Sequence, residues 1–253
     1  MTKMDGILKC KLPRSKAALW FLGQAGYIIR ASGKTVVIDP YLSDSVGRVA
    51  PDFKRAYPVP LKPSELKADV FIVTHDHLDH LDPDTIKAYR HRDRTVFIAP
   101  RLAAKKLLSI GVPASGIWRL DSGETLGFAG VSITGIYAVP TSADVVDTTG
   151  YFIEFANGRS VYHTSDTAFS DVLVAAAPKA EVLLACINGK WGNLNVFQAV
   201  KLAAAMKPKY AIPNHYDVMA LNCENPEAFR VFMKTENPDV KVVIPKVMEP
   251  FVW

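Results

Sequence analysis

Residues 75–80 read His-Asp-His-Leu-Asp-His and follow the apolar run Asp69-Val70-Phe71-Ile72-Val73-Thr74. Three of the chain's six histidines and two carboxylates therefore crowd one short loop at the mouth of a buried strand. Imidazole nitrogens and carboxylate oxygens bind divalent cations at about 2.0–2.2 Å, so ligands this close in sequence can converge on a cation from a tight turn. The pattern is too dense in ligand groups to be read as an ordinary polar loop. It requires a fold that delivers a strand end, with partners from elsewhere in the chain, to one point.

The length of 253 residues suits one large domain, and the range 1–253 is read as a single domain with a substantial core. No uninterrupted apolar run reaches 18 residues; the nearest candidate, 172–187, is broken by Pro178, Lys179 and Glu181. No membrane span is expected. The first residues lack the apolar stretch of a secretory signal, and Cys10, Cys186 and Cys223 are too scattered for a disulfide framework. A cytoplasmic location with reduced thiols is the expectation. The net charge of +5 is mild and dispersed, and the densest basic patch, His91-Arg92-Asp93-Arg94, is too short for a nucleic-acid surface.

Strand-like runs at 17–22, 27–30 and 35–38, broken by Gly23, Gly26 and Ser32-Gly33, read as an antiparallel meander. Residues 40–64 lack a period and are rich in proline, which predicts a long loop that covers a site or moves. A helix is expected after Asp82 as N-cap with Pro83 at its first position, then a strand at 95–99 and a helix at 101–109. Short strands fill 117–163. The last third alternates: helix 168–176, strand 181–187, helix 196–207 capped by Asn195, strand 209–212, a helix after Asn225-Pro226, and strand 241–244. Meanders that give way to alternating strands and helices predict two face-to-face sheets with helices outside.

Other segments share the grammar of the 75–80 loop. Asp166 and His215 each follow an apolar strand at its C-terminal end, where ligand sites gather in α/β architectures. A carboxylate at 166 can bridge two cations, although alone it also suits a turn or cap, and His215 alone also suits a structural role. His163 reads either as support for a carboxylate or substrate or as a packed side chain.

These segments, with Leu22-Gly23-Gln24-Ala25-Gly26 and Val37-Ile38-Asp39-Pro40-Tyr41-Leu42, resemble the metallo-β-lactamase-fold hydrolases along nearly the whole chain. Ile187-Asn188-Gly189-Lys190-Trp191-Gly192-Asn193 and Ile212-Pro213-Asn214-His215-Tyr216 are most similar to the L-ascorbate-6-phosphate lactonase-like branch. The resemblance implies an α/β fold, a four-layer αββα sandwich. It implies two divalent-metal sites, with His75 and His77 on one, Asp79, His80 and His215 on the other, and Asp166 bridging. The family's third histidine on the first metal falls in 138–144, where this chain has none. Asp144 is proposed as its replacement, an oxygen ligand that favours Mn²⁺ over Zn²⁺, unless one site is weak or empty. The branch also implies a possible homo-oligomer.

Coordination lowers the pKa of water from 15.7 to about 7 and so supplies hydroxide at neutral pH for attack on a carbonyl or phosphoryl centre. For a lactone, Asp79 or Asp166 can return the proton to the departing ring oxygen, and Tyr216 is a candidate donor to the oxyanion, or else a buried aromatic. Lys190, Trp191 and Asn193, in the loop before the Asn195-capped helix, are candidates for binding a small anionic substrate such as a sugar phosphate. Arg48, Lys54 and Arg55 are further phosphate candidates. Opening of a phosphorylated sugar lactone is the first expectation. A phosphodiesterase of nucleotides or RNA and a non-catalytic metal-binding protein are the alternatives.

Overall fold

The computed structural model describes residues 2–141 and 145–253, and it builds two seven-stranded mixed sheets from strands that fall largely where the sequence patterns put them. In the first sheet, β1 (Ala17–Gly23), β2 (Gly26–Ala31) and β3 (Lys34–Ile38) form an antiparallel meander. β4 (Val70–Ile72), β5 (Val96–Ala99) and β6 (Ile117–Arg119) then add in parallel beyond β3. The second sheet repeats that plan. β7 (Thr125–Phe128), β8 (Val131–Tyr137), β9 (Thr149–Phe155) and β10 (Ser160–His163) run antiparallel. β11 (Val182–Cys186), β12 (Tyr210–Asn214) and β13 (Lys241–Val242) continue in parallel. A last strand, β14 (Pro250–Val252), pairs with β1 at the sheet edge, where the missing N–H of Pro250 costs little.

Alternation along the strands makes the four layers. Leu19 and Phe21 of β1, Val36 and Ile38 of β3, and Val70 and Ile72 of β4 face the second sheet and pack in one core with Ile133, Ile153 and Val161. The intervening residues, Ala18, Trp20, Val37 and Phe71, face the other way. They pack on Met4 and Ile7 of α1 (Lys3–Lys9), Ile86 of α3 (Pro83–Ala88), and Ala103 and Leu107 of α4 (Arg101–Ser109). Both faces of the first sheet are thus dry, which is why its strands read as continuous apolar runs. On the far side, α5 (Asp171–Ala176), α6 (Val196–Met206) and α7 (Pro226–Glu236) cover the second sheet. The expected αββα sandwich is the observed architecture.

The helix starts follow their caps. Asp82, Asn195 and Asn225 each accept a hydrogen bond from a first-turn N–H, and Asn195 forms a full capping box with Gln198. Four parts of the chain depart from the sequence expectation. The 40–64 segment contains α2 (Ser45–Val49) and short 3₁₀ turns at 51–53 and 63–65, and it is stitched across the top of the molecule by the Ala56 N–H to Val218 carbonyl bond at 2.7 Å. α5 begins at Asp171 because the Ser170 hydroxyl caps it, accepting from the Leu173 N–H at 3.0 Å. Neither α1 nor β14 was expected: α1 carries a mid-helix Gly6 and only a short apolar stripe, and β14 is three residues long with a proline. Among the described residues no helix is long and apolar enough to cross a membrane.

Candidate metal centre

The parallel strands of both sheets end on one edge, so the loops after β4, β10, β11 and β12 meet there. The 75–80 loop closes as a tight turn, with the His80 and Leu81 N–H groups donating to the His77 carbonyl at 3.1 and 2.7 Å. Its exit is fixed by the buried Asp82, whose carboxylate also accepts from the Ser43 and Thr85 hydroxyls. Ten non-glycine residues have left-handed backbone among those described, and six of them, Gln24, Asp39, Ser165, Trp191, His215 and Asp217, surround this edge. Such concentration of costly conformations marks a constrained site.

Two groups of side chains offer donor atoms within 4.8 Å of one another: His75, His80 and Asp166, and Asp79, His80 and His215. His80 belongs to both. Its Nε2 lies 3.4 Å from Asp166 Oδ1, 3.3 Å from His215 Nε2 and 3.7 Å from Asp79 Oδ2. His215 Nε2 lies 3.2 Å from Asp166 Oδ2 and 3.4 Å from Asp79 Oδ2. Two ligands about 2.1 Å from a common cation at a tetrahedral angle stand ~3.4 Å apart, so these separations fit a coordination shell. The His75 Nε2 and Asp166 Oδ1 atoms are buried without a hydrogen-bond partner, as ligand atoms for a cation would be. The half-buried His77 ring stands 4.8 Å from that of His75, and His77 lines the cavity outside.

The contacts behind these atoms set their tautomers. Asp39, fully buried, accepts from the Thr74 hydroxyl at 2.6 Å and the Thr74 N–H at 2.9 Å, and its Oδ2 lies 2.7 Å from His80 Nδ1. The Thr74 hydroxyl proton is thereby committed to Asp39, so its oxygen, 3.1 Å from His75 Nδ1, accepts from that ring. Both histidines turn Nε2 to the cluster, bare on His75 and available on His80 once a cation displaces its second proton. Gln24 donates to Asp79 Oδ2 at 2.8 Å and Asn193 to Asp166 Oδ2 at 2.7 Å.

Burial disfavours charge on His80 and His215, but the Asp166 and Asp79 carboxylates outweigh it, holding His80 well above the usual histidine range and His215 at about 9. Burial also works against ionised Asp79 and Asp166, and the same imidazoles override it, keeping both below the usual carboxylate range. Burial, followed by the neighbouring His80, pushes His75 down to about 3. Without metal His80 and His215 thus carry protons that balance the carboxylates; once those protons are displaced, the same groups form a compact set of neutral and anionic donors suited to a divalent cation.

The fold thus gathers His75, His77, Asp79, His80, Asp166 and His215, with Asn193 on Asp166 and Trp191 in the cavity wall. Other expected site residues lie elsewhere. His163 is fully buried and uses both nitrogens internally: Nδ1 accepts from the Ser165 N–H at 3.0 Å, and Nε2 donates to the Ala25 carbonyl at 3.0 Å. It pins the β10 end and does not reach a substrate. The Lys190 ammonium is held by the Leu221 and Cys223 carbonyls at 2.7 and 3.1 Å, outside the cavity wall. Tyr216 stacks on Phe21 at 5.7 Å, away from the cavity, and burial pushes its hydroxyl above the usual tyrosine range. Arg48 pairs with Asp84, and Arg55 bonds the Tyr41 and Tyr57 carbonyls. Asp144 lies outside the described residues. Gln24, Asp39 and Thr74 carried no role in the sequence reading. Asp39 could have been found, since it too follows an apolar strand at its C-terminal end.

Residues 34–216 match the family profile described as Beta-lactamase superfamily domain. Over 249 residues the chain is 33% identical to a UPF0173 metal-dependent hydrolase of Archaeoglobus fulgidus, covering 91% of this chain and 96% of that protein. Among solved structures, the metallo hydrolase Igni18 from Ignicoccus hospitalis superposes with a TM-score of 0.76 at 20% identity, over 94% of this chain and 98% of that one. An isothiocyanate hydrolase from Delia radicum gut bacteria gives a TM-score of 0.75 at 19% identity, over 92% and 98%. At such identities the structural likeness speaks for the fold alone. The family match, the sandwich and the ligand cluster at its edge agree, and the chain belongs to the UPF0173 metal-dependent hydrolases of the beta-lactamase superfamily.

Proposed function

We propose that this hydrolase opens a small cyclic ester, with a lactone carbonyl as the electrophile. The observation that carries the reading is the convergence of His75, His80, His215, Asp79 and Asp166 beneath a cavity of about 510 Å³ that can admit a small molecule. His75, His77 and Asp166 would hold one divalent cation and Asp79, His80 and His215 the other, with Asp166 shared and manganese or zinc as the metal. When bound, such ions supply Lewis acidity and a nucleophile at neutral pH.

The chain's own residues do the rest. Asp39 and Thr74 hold the His80 and His75 rings in the tautomers that point Nε2 inward. Gln24 and Asn193 orient the Asp79 and Asp166 carboxylates. Asp79, the more accessible of the two at 15% against 7%, takes the proton from the attacking water and returns it to the departing ring oxygen. Lys106 is the one lysine or arginine among the described residues of the wall, so it is the group that would read an anionic substituent such as a phosphate. Three unpaired thiols suit a reducing compartment, which supports a cytoplasmic setting.

The test is a panel of sugar-phosphate lactones, simple lactones, cyclic nucleotides and bis-p-nitrophenyl phosphate, assayed with Mn²⁺ and Zn²⁺. Lactone opening that disappears in Asp79→Ala and Asp166→Ala supports the reading. Phosphodiester cleavage without lactone opening, or silence throughout, overturns it.

A further inference from the structure

The cavity over the ligand cluster has two unlike halves. Its floor holds His77, Asp79, Asp166 and His215, and its wall is apolar, built from Val46, Ala50, Phe53, Leu78, Trp191 and Met219. These come from four separate segments: the long early loop, the loop after β4, the loop after β11 and the segment after β12. Phe53 and Trp191 meet with ring centroids 5.4 Å apart, closing the wall above the floor.

Trp191 is an unusual residue to find so placed. Its side chain is 53% exposed, yet its backbone is fixed at φ 50°, a conformation costly for a bulky residue. Neighbouring contacts lock it there. Gly192 has φ 92°, and a Cβ at that position would lie 2.1 Å from the Thr141 carbonyl oxygen. The Asn193 N–H donates to the Lys190 carbonyl at 3.0 Å, the Leu194 N–H to the Thr167 carbonyl at 2.9 Å, and the Lys190 ammonium grips two carbonyls of the 221–223 segment. The backbone that carries the indole is therefore fixed at a conformational cost, and the ring itself leans on Phe53 at the cavity wall. Two residues on, Asn193 bonds Asp166, which couples the position of the shelf to that of the candidate ligand.

The amide donors that a sugar would need are committed elsewhere. The Asn188 amide donates to the Asn222 side chain at 2.8 Å and the Asn193 amide is spent on Asp166, which leaves the two Oδ1 atoms as acceptors. The Lys106 ammonium, bonded to the Asp76 carbonyl through one of its three donors, remains as the cationic group of the wall. Thr141 is the single hydroxyl residue in the described wall. A polyol seated here meets the apolar Phe53, Trp191 and Met219 along one side and has few side-chain donors for its oxygens there, a loss that a flat apolar group does not incur.

The geometry points to Trp191 as the specificity-determining residue, selecting cyclic esters whose ring carries a flat apolar substituent that lies on the Trp191–Phe53 shelf. This inference rests on the hydrolase reading above for its reaction, but not for its binding.

Two arms keep the two apart. In the first, metal-loaded protein is assayed on γ-phenyl-γ-butyrolactone, γ-butyrolactone and gluconolactone. The phenyl lactone should exceed the others in kcat/KM by ~10-fold or more, and Trp191→Ala should reduce that ratio at least several-fold while Trp191→Phe preserves it. In the second, calorimetry follows binding of 4-phenylbutanoate and gluconate to the metal-loaded protein. Phenylbutanoate should bind more tightly and lose that advantage in Trp191→Ala, with metal content unchanged. If no lactone is opened but phenylbutanoate binds in this way, the reaction falls and the shelf stands. Equal binding of the two acids, preference for the polyol, or a preference unaffected by Trp191→Ala overturns the shelf.

Discussion

Asp39 Oδ2 lies 2.7 Å from Nδ1 of His80, with both side chains shut off from solvent and 41 positions apart in sequence. The pair fixes which nitrogen of His80 faces the cluster, and through Thr74 the same carboxylate also fixes His75. Replacing Asp39 by Asn keeps the volume but removes the charge that anchors the ring. Since outer partners of this kind typically govern 10–100-fold of metal affinity, Asp39→Asn should weaken divalent-metal binding by about that factor. A chelator-competition titration reads it; unchanged affinity would show that Asp39 serves the fold alone.

The protonation pattern predicts how the metal-stripped protein responds to pH. His80 and His215 titrate above their unfolded value near 6.5, so their contribution is fully present below ~6.5 and disappears as pH rises through the folded values. For His215 that value is about 9. Asp79 and Asp166 titrate below their usual values, so their contribution is present above ~4 and lost in acid. His75, at about 3, and His163 are held below the unfolded value, so their contribution is present above ~6.5 and lost in acid. Stripped protein should therefore be most stable near pH ~6.5, with Tm falling on acidification and falling by roughly 5 °C or more on raising the pH to 9. Saturating Mn²⁺ or Zn²⁺ should reverse the alkaline slope, because the ions bind the deprotonated ligands. A flat Tm from pH 6.5 to 9 in the stripped protein would contradict the coupling.

Gly192 tests the rigidity of the loop after β11. A methyl there meets a backbone oxygen, not a yielding side chain, and the φ of 92° disfavours any Cβ. Gly192→Ala should cost about 1–3 kcal/mol in urea unfolding and displace Asn193 from Asp166, lowering metal affinity as well. Wild-type stability and affinity in this variant would mean that the loop yields freely.

Much of this architecture is legible in the chain itself. The strand-end positions of residues 75–80, 166 and 215, and the caps Asp82, Asn195 and Asn225, all sit where local chemistry puts them. What local chemistry does not reveal is direction. His215 and Tyr216 are adjacent at the end of β12, so their side chains diverge: one enters the cluster and the other packs on Phe21. Lys190 and Trp191 are likewise neighbours, and the lysine turns to carbonyls of the 221–223 segment while the indole faces the cavity. The parts of Gln24 and Asp39 depend on contacts that span 55 and 41 positions, beyond any local pattern.

His80 is the member common to both candidate ligand groups and a direct ligand of the second cation in the assignment above, so its loss should empty at least that site. The decisive measurement is the divalent-metal content of wild type and His80→Ala after equilibrium dialysis against Mn²⁺ or Zn²⁺, with folding checked by circular dichroism. Tight binding by the wild type, with at least one equivalent of metal lost in a folded His80→Ala protein, is the predicted result. A wild type that retains no metal, or a variant that binds as well as its parent, would contradict it.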